Sequence, residues 1–211
     1  MFSTSSELAT PAEHPLDFPL TMRMKLLALA PQFYVSDKNN QPIAYVKQKL
    51  FKLKEDIRVY ANEQQEQQLY AIHADRVIDF NAVYHMSDTQ NGQNLGALKR
   101  KGMRSLWKAA YEVHDANDMP LYTVSEESAF VRVMDALFSE LPIIGALSGY
   151  VFNPSYLVKD QQGRTVMRMK KQPAFWEGVF KMEAFAPLPT LEKKRLMLSL
   201  FMVVVLERMR G

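Results

Sequence analysis

The sequence LMLSLFMVVVL, residues Leu196–Leu206, is the most hydrophobic stretch of this chain. Written as a helix with a rise of about 1.5 Å per residue, it covers roughly 16 Å. A membrane core needs about 20 apolar residues, so the stretch is short for a membrane span. Because it is apolar on every side, a helix here must be buried in a protein core or in a membrane. We expect a buried core helix, with a tail anchor and a hydrophobic central strand as the alternatives.

The chain before this stretch contains an internal repeat with a period of about 26 residues. Each unit has an alternating apolar run, an Asp or Asn, a polar turn and a second run that ends in basic or polar residues. The clearest unit is SYLVKDQQGRTVMRMKK, which begins at Ser155. Runs of β-branched and aromatic residues around such turns are typical of β-hairpins. The five turns are anchored by Asp37, Asn62, Asp88, Asp115 and Asp160.

Five hairpins supply ten strands, and two further runs, Met22–Leu29 and Trp176–Glu183, bring the total to twelve. An open sheet of this size would leave two unpaired edges, which closure into a barrel removes. About eight strands already give an interior that side chains fill, so a barrel of twelve strands has a lumen that needs a plug. The segment Leu191–Met209, with Thr190 as its N-cap, can supply one. The sequence therefore predicts a mainly β fold, a closed antiparallel twelve-stranded barrel around a buried hydrophobic C-terminal helix.

The last two anchors are 45 residues apart, whereas the earlier ones are 25 to 27 residues apart. The extra residues carry the signals of one additional helix inserted mid-chain. Ser125 is a candidate N-cap, and Glu126 and Glu127 favour a first helical turn. Apolar residues then follow at helical spacing until Pro142, which ends the pattern.

The N-terminal residues 1–19 contain three acidic residues and no apolar run, so they do not look like a secretory signal. We expect a flexible lead-in over residues 1–19 and a single barrel domain over residues 20–211. The chain has no cysteine, which excludes a disulfide scaffold, a thiolate metal site and a cysteine nucleophile. These features favour a cytoplasmic location.

The hairpin repeat with VKQKLFKLKEDIRVY at Val46–Tyr60, the mid-chain helix and the terminal apolar helix resemble the LURP-one-related proteins. These belong to the Tubby C-terminal-like superfamily, together with the phospholipid scramblases. The resemblance covers about residues 20–211 and implies a twelve-stranded barrel around a central hydrophobic helix. Since Tubby domains bind phosphoinositide headgroups, it also implies an anionic lipid ligand. Residues Phe185–Thr190 contain no acid and the chain contains no cysteine, so the calcium and acylation segments of scramblases have no counterpart here.

Three basic clusters, each at or just after the second strand of a hairpin, contain the candidate binding residues. In an up-and-down barrel, equivalent repeat positions emerge at one end, so the clusters can converge on one rim. A Lys or Arg near an anionic lipid surface contributes roughly 1 kcal/mol to binding. Charged strand ends also resist aggregation, which is the alternative interpretation of the clusters. The candidate anionic-ligand residues are Lys47, Lys49, Lys99, Arg100, Lys101, Arg104, Arg168, Lys170 and Lys171.

The sequence contains no recognisable catalytic or metal-binding motif. The histidines His14, His73, His85 and His114 lack metal-ligand spacing. There is no nucleophile elbow, phosphate loop or dinucleotide fingerprint. Asp and Asn side chains form turns with their own backbone, which explains the anchors without calcium. We therefore expect a non-enzymatic binding module without cofactor or metal.

The expected partner is an anionic membrane lipid, bound peripherally at the membrane surface without a transmembrane segment. The alternative is a cytoplasmic protein-interaction or scaffold module with a protein partner, and a third interpretation is an unrecognised enzyme. Nucleic acid is not an expected partner, because a net charge of +3 is modest and no aromatic platform accompanies the basic clusters.

Overall fold

The computed structural model of the chain describes residues 16–25, 32–48, 56–76, 82–100, 110–127, 154–174 and 177–208. These residues form twelve β-strands and one long α-helix. The strands are β1 Leu20–Lys25, β2 Gln32–Ser36, β3 Pro42–Gln48, β4 Asp56–Tyr60, β5 Gln68–Ala74, β6 Val83–Asp88, β7 Asn94–Arg100, β8 Ala110–His114, β9 Pro120–Glu126, β10 Ser155–Asp160, β11 Thr165–Gln172 and β12 Glu177–Ala184. The helix α1 spans Thr190–Arg208.

Every strand pairs with its sequence neighbours in antiparallel fashion, and β1 pairs with β12 to close the ring. Successive residues along a strand point alternately into the barrel and outward. In β12, for example, Gly178, Phe180 and Met182 are buried and alternate with partly exposed residues. The predicted closed antiparallel barrel of twelve strands is confirmed.

The terminal helix is the core of the barrel. Leu198, Phe201 and Met202 are 0% exposed and Val205 is 2% exposed. One apolar cluster contains residues from all twelve strands together with the helix. This arrangement confirms the buried core helix and contradicts the central-strand alternative. In the described part of the chain, no helix combines the length and the hydrophobicity that crossing a membrane requires.

Polar contacts fix the N-terminal part of the helix against the barrel wall. The Lys194 ammonium lies 3.1 Å from the Asp88 carboxylate, and both side chains are almost completely buried. Arg195 Nε donates a hydrogen bond of 2.6 Å to the carbonyl oxygen of Leu95, and its guanidinium also pairs with Glu192. Asp88 is the buried member of the five repeat anchors, so one hairpin of the repeat is tied directly to the helix.

The five anchors all lie in or beside the turns that join β2 to β3, β4 to β5, β6 to β7, β8 to β9 and β10 to β11. In an antiparallel ring these turns share one end of the barrel, which we call the turn end, and this confirms the repeat. Oδ1 of Asp37, Asp115 and Asp160 accepts hydrogen bonds of 2.8 to 2.9 Å from the N–H groups two and four residues later. The carboxylates therefore shape the turns, as Asp side chains commonly do.

The structure contradicts the predicted start of the mid-chain helix. Ser125 and Glu126 belong to β9, where they pair with Leu157 and Tyr156 of β10. Ser125 is therefore not a helix cap, because strand pairing satisfies the backbone at this position. The remainder of the predicted helix falls within residues 128–153, which lie outside the described residues.

The end of the predicted N-terminal lead-in contacts the barrel. Leu16 is 7% exposed and belongs to the apolar core cluster. Its carbonyl oxygen accepts a hydrogen bond of 3.1 Å from the Lys193 side chain of the helix. Residues 1–15 lie outside the described residues.

Removing residues 190–211 is expected to unfold the protein, because the barrel loses its core. Each large apolar side chain removed from a core costs about 2–5 kcal/mol, and a domain is stable by only about 5–15 kcal/mol. The measurement is a thermal melt of a chain that ends at Pro189, with a chain that ends at Arg208 as the control. A cooperative melt of the shorter chain near the full-length temperature would contradict the role of the helix.

Replacing Gly96 by alanine is expected to destabilise the barrel strongly. Gly96 has a φ of 104°, and a Cβ atom there would lie 2.0 Å from the carbonyl oxygen of His114. Gly163 has a similar φ of 78° but no atom within 4 Å of its Cβ position, so it is the matched control. Urea unfolding should show a cost of about 1–2 kcal/mol for Gly163→Ala and a larger one for Gly96→Ala. Equal costs would show that the close approach of β7 to β8 is not what requires glycine.

Candidate anionic-ligand surface

Three of the predicted lysines occupy equivalent positions in the repeat. Lys47, Lys99 and Lys170 stand near the C-terminal ends of β3, β7 and β11, at 10, 11 and 10 residues after their anchors. The residue before each of them, Val46, Leu98 or Met169, is fully buried in the core. Each lysine therefore points outward. All three lie at the end of the barrel opposite the turns, which we call the basic end.

The ring spreads these lysines around the barrel. In the closed order, β3, β7 and β11 are four strands apart from one another. With about 4.8 Å between neighbouring strands, four strands correspond to roughly 19 Å along the wall. The structure thus brings Lys47, Lys99 and Lys170 to one end of the barrel but places them on three different walls.

The other predicted residues have different surroundings. Arg100 and Lys171 follow the outward lysines and pair in register with Tyr111 and Phe180, which are both buried. Arg168 lies in the middle of β11, where its guanidinium is 3.8 Å from Glu127 and 5.5 Å from the centre of the Phe185 ring. The remaining candidates, Lys49, Lys101 and Arg104, lie outside the described residues.

Lys99 borders a cleft of about 200 Å³ between the outer wall of β6 and β7 and the turn that follows β8. Its ammonium lies 2.5 Å from the Asp118 carboxylate, which also lies 3.1 Å from His114 Nδ1. The hydrogen bond from Lys99 holds the pKa of Asp118 below its usual value. The charge of Lys99 is therefore partly balanced. For Lys47 and Lys170, in contrast, the described residues provide no ion-pair partner.

Strand register reveals basic residues that the sequence reasoning missed. Lys47 lies directly opposite Arg58 on β4, and Lys170 lies directly opposite Lys181 on β12. Like charges at directly opposed positions disfavour pairing, so neither arrangement is explained by strand stability. Lys181 is partly compensated by Glu183, 2.8 Å away. Extending the predicted hairpin register to the next strand would have found Arg58 and Lys181.

The described residues offer little to a metal ion. Among them, no group of three or more His, Asp or Glu side chains is arranged to hold one. The three histidines in the described ranges, His73, His85 and His114, lie on the outer wall rather than around a common centre.

Replacing Lys99 by glutamine is expected to raise the pKa of Asp118 toward its usual value, because the charged hydrogen bond is lost. A depressed carboxyl pKa stabilises the folded state above the unfolded pKa, and this contribution disappears as the pH falls through the folded pKa. The stability of the variant should therefore fall less as the pH decreases, because Asp118 no longer contributes to it in this way. Carboxyl NMR titration measures the shift, and Lys170→Gln, on a different wall, is the control. An unchanged pKa of Asp118 would contradict the pairing.

One protein family matches the part of the chain that runs from β3 to β11. Residues 43–171 match the model of the family described as LURP-one-related, and this range includes more than half of the 211 residues. The matched range begins in β3 and ends in β11, so it contains all three outward lysines of the basic end. No curated protein matches the chain. The family match and the helix-filled barrel agree, and the chain belongs to the LURP-one-related family, with a fold consistent with the Tubby-like superfamily.

Proposed function

We propose that this protein is a non-enzymatic binding module that recognises anionic phospholipid headgroups at a membrane surface through the lysines of its basic end. Membership of the LURP-one-related family supports the broader statement, a Tubby-like barrel that acts as a binding module. The choice of an anionic lipid surface rests on where the barrel places its outward lysines.

The observation that carries the proposal is the position of Lys47, Lys99 and Lys170 at one end of the barrel and on three walls. A closed ring of twelve strands has a diameter on the order of 20–25 Å. One small soluble ligand cannot contact three side chains spread over that distance. A flat anionic surface can meet side chains on all three walls. Lys47 and Lys170 have no ion-pair partner among the described residues, and at about 1 kcal/mol each they contribute roughly 2 kcal/mol, or about thirtyfold in affinity. Lys99 contributes less, because its ammonium is paired with Asp118.

The charge at the opposite end favours the same orientation. The turn end carries more acidic than basic residues. There are six acidic and two basic residues in the turns at residues 37–41, 61–67, 115–119 and 160–164. The acidic residues are Asp37, Glu63, Glu66, Asp115, Asp118 and Asp160, and the basic ones are Lys38 and Arg164. An anionic surface is therefore repelled from the turn end and attracted to the basic end.

The test compares two triple charge reversals with the same change in net charge. Lys47→Glu, Lys99→Glu and Lys170→Glu alter the basic end, whereas Lys38→Glu, Lys159→Glu and Arg164→Glu alter residues at or beside the turns. Both proteins are sedimented with vesicles of phosphatidylcholine alone and with vesicles that also contain phosphatidylinositol 4,5-bisphosphate. We expect the first variant to lose at least about thirtyfold in affinity for the anionic vesicles and the second to lose much less.

Two results would contradict the proposal. Equal losses in the two triple variants would show that net charge, and not the basic end, controls binding. The absence of any binding by the unaltered protein to anionic vesicles would reject a lipid ligand and favour the protein-interaction alternative.

A further inference from the structure

The turn between β6 and β7 contains an asparagine followed by a glycine, Asn91–Gly92, and the sequence has this pair nowhere else. Both residues are exposed. Asparagine followed by glycine is typical of tight hairpin turns. The pair also carries a reaction of its own, because the backbone nitrogen after an asparagine can attack the side-chain amide, and glycine has no Cβ atom to obstruct the approach.

The β6–β7 turn is one residue longer than the other four anchored turns. In those four, the residue three positions after the anchor has a positive φ, and its N–H donates a hydrogen bond of 3.0 to 3.2 Å to the carbonyl oxygen of the anchor. The four donors are Asn40, Gln65, Asp118 and Gly163. In the longer turn, the residue with a positive φ is Gly92, four positions after Asp88. Within the described part of the chain, the Gly92 N–H donates no hydrogen bond, so water can reach it and remove its proton.

The surroundings of the pair favour attack by the Gly92 nitrogen. No atom lies within 4 Å of the position that a Cβ atom of residue 92 would occupy. Asn91 Oδ1 accepts a hydrogen bond of 2.9 Å from the Gln93 N–H. This bond closes a ring that contains the Gly92 nitrogen, so the side-chain carbonyl is held beside the peptide that attacks it. The same N–H stabilises the negative charge that develops on Oδ1 during the attack.

We propose that Asn91 is a deamidation site, at which the Gly92 backbone nitrogen converts the side chain to a succinimide that water opens to aspartate and isoaspartate. The Gly92 nitrogen gives its proton to water or hydroxide and forms a bond with Asn91 Cγ. The Cγ–Nδ2 bond breaks, and Nδ2 leaves as ammonia after taking up a proton. Water then adds to one of the two ring carbonyls. Addition at Cγ gives aspartate, and addition at the backbone carbonyl of residue 91 gives isoaspartate. Water is the co-reactant, and no atom is oxidised or reduced.

The modification alters the hairpin that holds the N-terminal part of the helix. Asp88, before the turn, is paired with Lys194, and the carbonyl oxygen of Leu95, after the turn, accepts a hydrogen bond from Arg195. Both products add a negative charge to the turn. Isoaspartate also lengthens the backbone by one atom inside the loop that the Asp88 N–H closes on the carbonyl oxygen of Gln93 at 2.9 Å. The inference is independent of the ligand of the basic end.

The test incubates the unaltered full chain at mildly alkaline pH and follows each asparagine by peptide mapping with mass spectrometry. Electron-transfer fragmentation distinguishes isoaspartate from aspartate. Asn117 is the internal control, because it is also exposed in a turn but precedes Asp118, whose N–H is bound to the carbonyl oxygen of Asp115 at 3.2 Å. Asn91 is expected to convert at least about tenfold faster than Asn117, because at Asn117 that hydrogen bond must break before the attack.

Two glycine variants test the role of the attacking nitrogen. Gly92→Ala places a Cβ atom beside this nitrogen in open space, and it is expected to slow the conversion of Asn91 at least about tenfold. Gly163→Ala introduces similar backbone strain, since its φ is 78°, and it is expected to leave the conversion of Asn91 unchanged. Circular dichroism and thermal melts before incubation establish that the variants are folded. If Gly92→Ala does not fold, the comparison of Asn91 with Asn117 in the unaltered chain still decides.

Three results overturn the inference. Conversion of Asn91 no faster than that of Asn117 would show that the folded turn does not permit the attack. Aspartate at residue 91 without isoaspartate would show direct hydrolysis by water. An unchanged rate in folded Gly92→Ala would show that access to the Gly92 nitrogen does not control the reaction.

Discussion

The structure depends on the apolar contact between the terminal helix and the barrel that encloses it. Twelve strands leave a lumen that their own side chains do not fill, and helix residues 196–205 are buried within it. Since the helix touches the same apolar cluster as every strand, it holds β1 and β12 in the positions where they can pair. Closure of the sheet and burial of the helix therefore depend on the same apolar contacts.

An apolar helix in an apolar tube could slide or rotate without much change in buried area, so polar contacts must select its position. Lys194 and Asp88 are buried as an ion pair, and Arg195 binds the carbonyl oxygen of Leu95. Burying charges costs desolvation energy, and such pairs are better explained by the specificity they impose than by net stability. Both contacts connect the N-terminal part of the helix to the β6–β7 hairpin, and Tyr111 of β8 donates a hydrogen bond of 2.7 Å to Glu207 near the other end of the helix. These contacts together set the depth of the helix in the barrel.

A closed barrel with a regular repeat also arranges its surface regularly. The second strand of each hairpin runs from the turn end to the basic end. Equivalent positions in the units therefore lie at similar distances from the basic end, on different walls of the barrel. Lysines placed at these positions form a rim rather than a pocket. The local charge therefore depends on the cross-strand neighbours of each lysine as much as on the lysine itself. The pairs Lys47 with Arg58 and Lys170 with Lys181 follow from this register.

The sequence alone determined the hairpins, their turns and the buried helix, because alternation, turn-forming Asp residues and an all-round apolar stretch are local patterns. It also indicated which lysines share a repeat position. It did not identify Arg58 or Lys181 as part of the surface, and it assigned Ser125 to a helix although this residue pairs in β9. Only the tertiary structure decided these features and the spread of the lysines over three walls. The physical reason is that register and ring order depend on hydrogen bonds between strands that are distant in sequence, which no local pattern encodes.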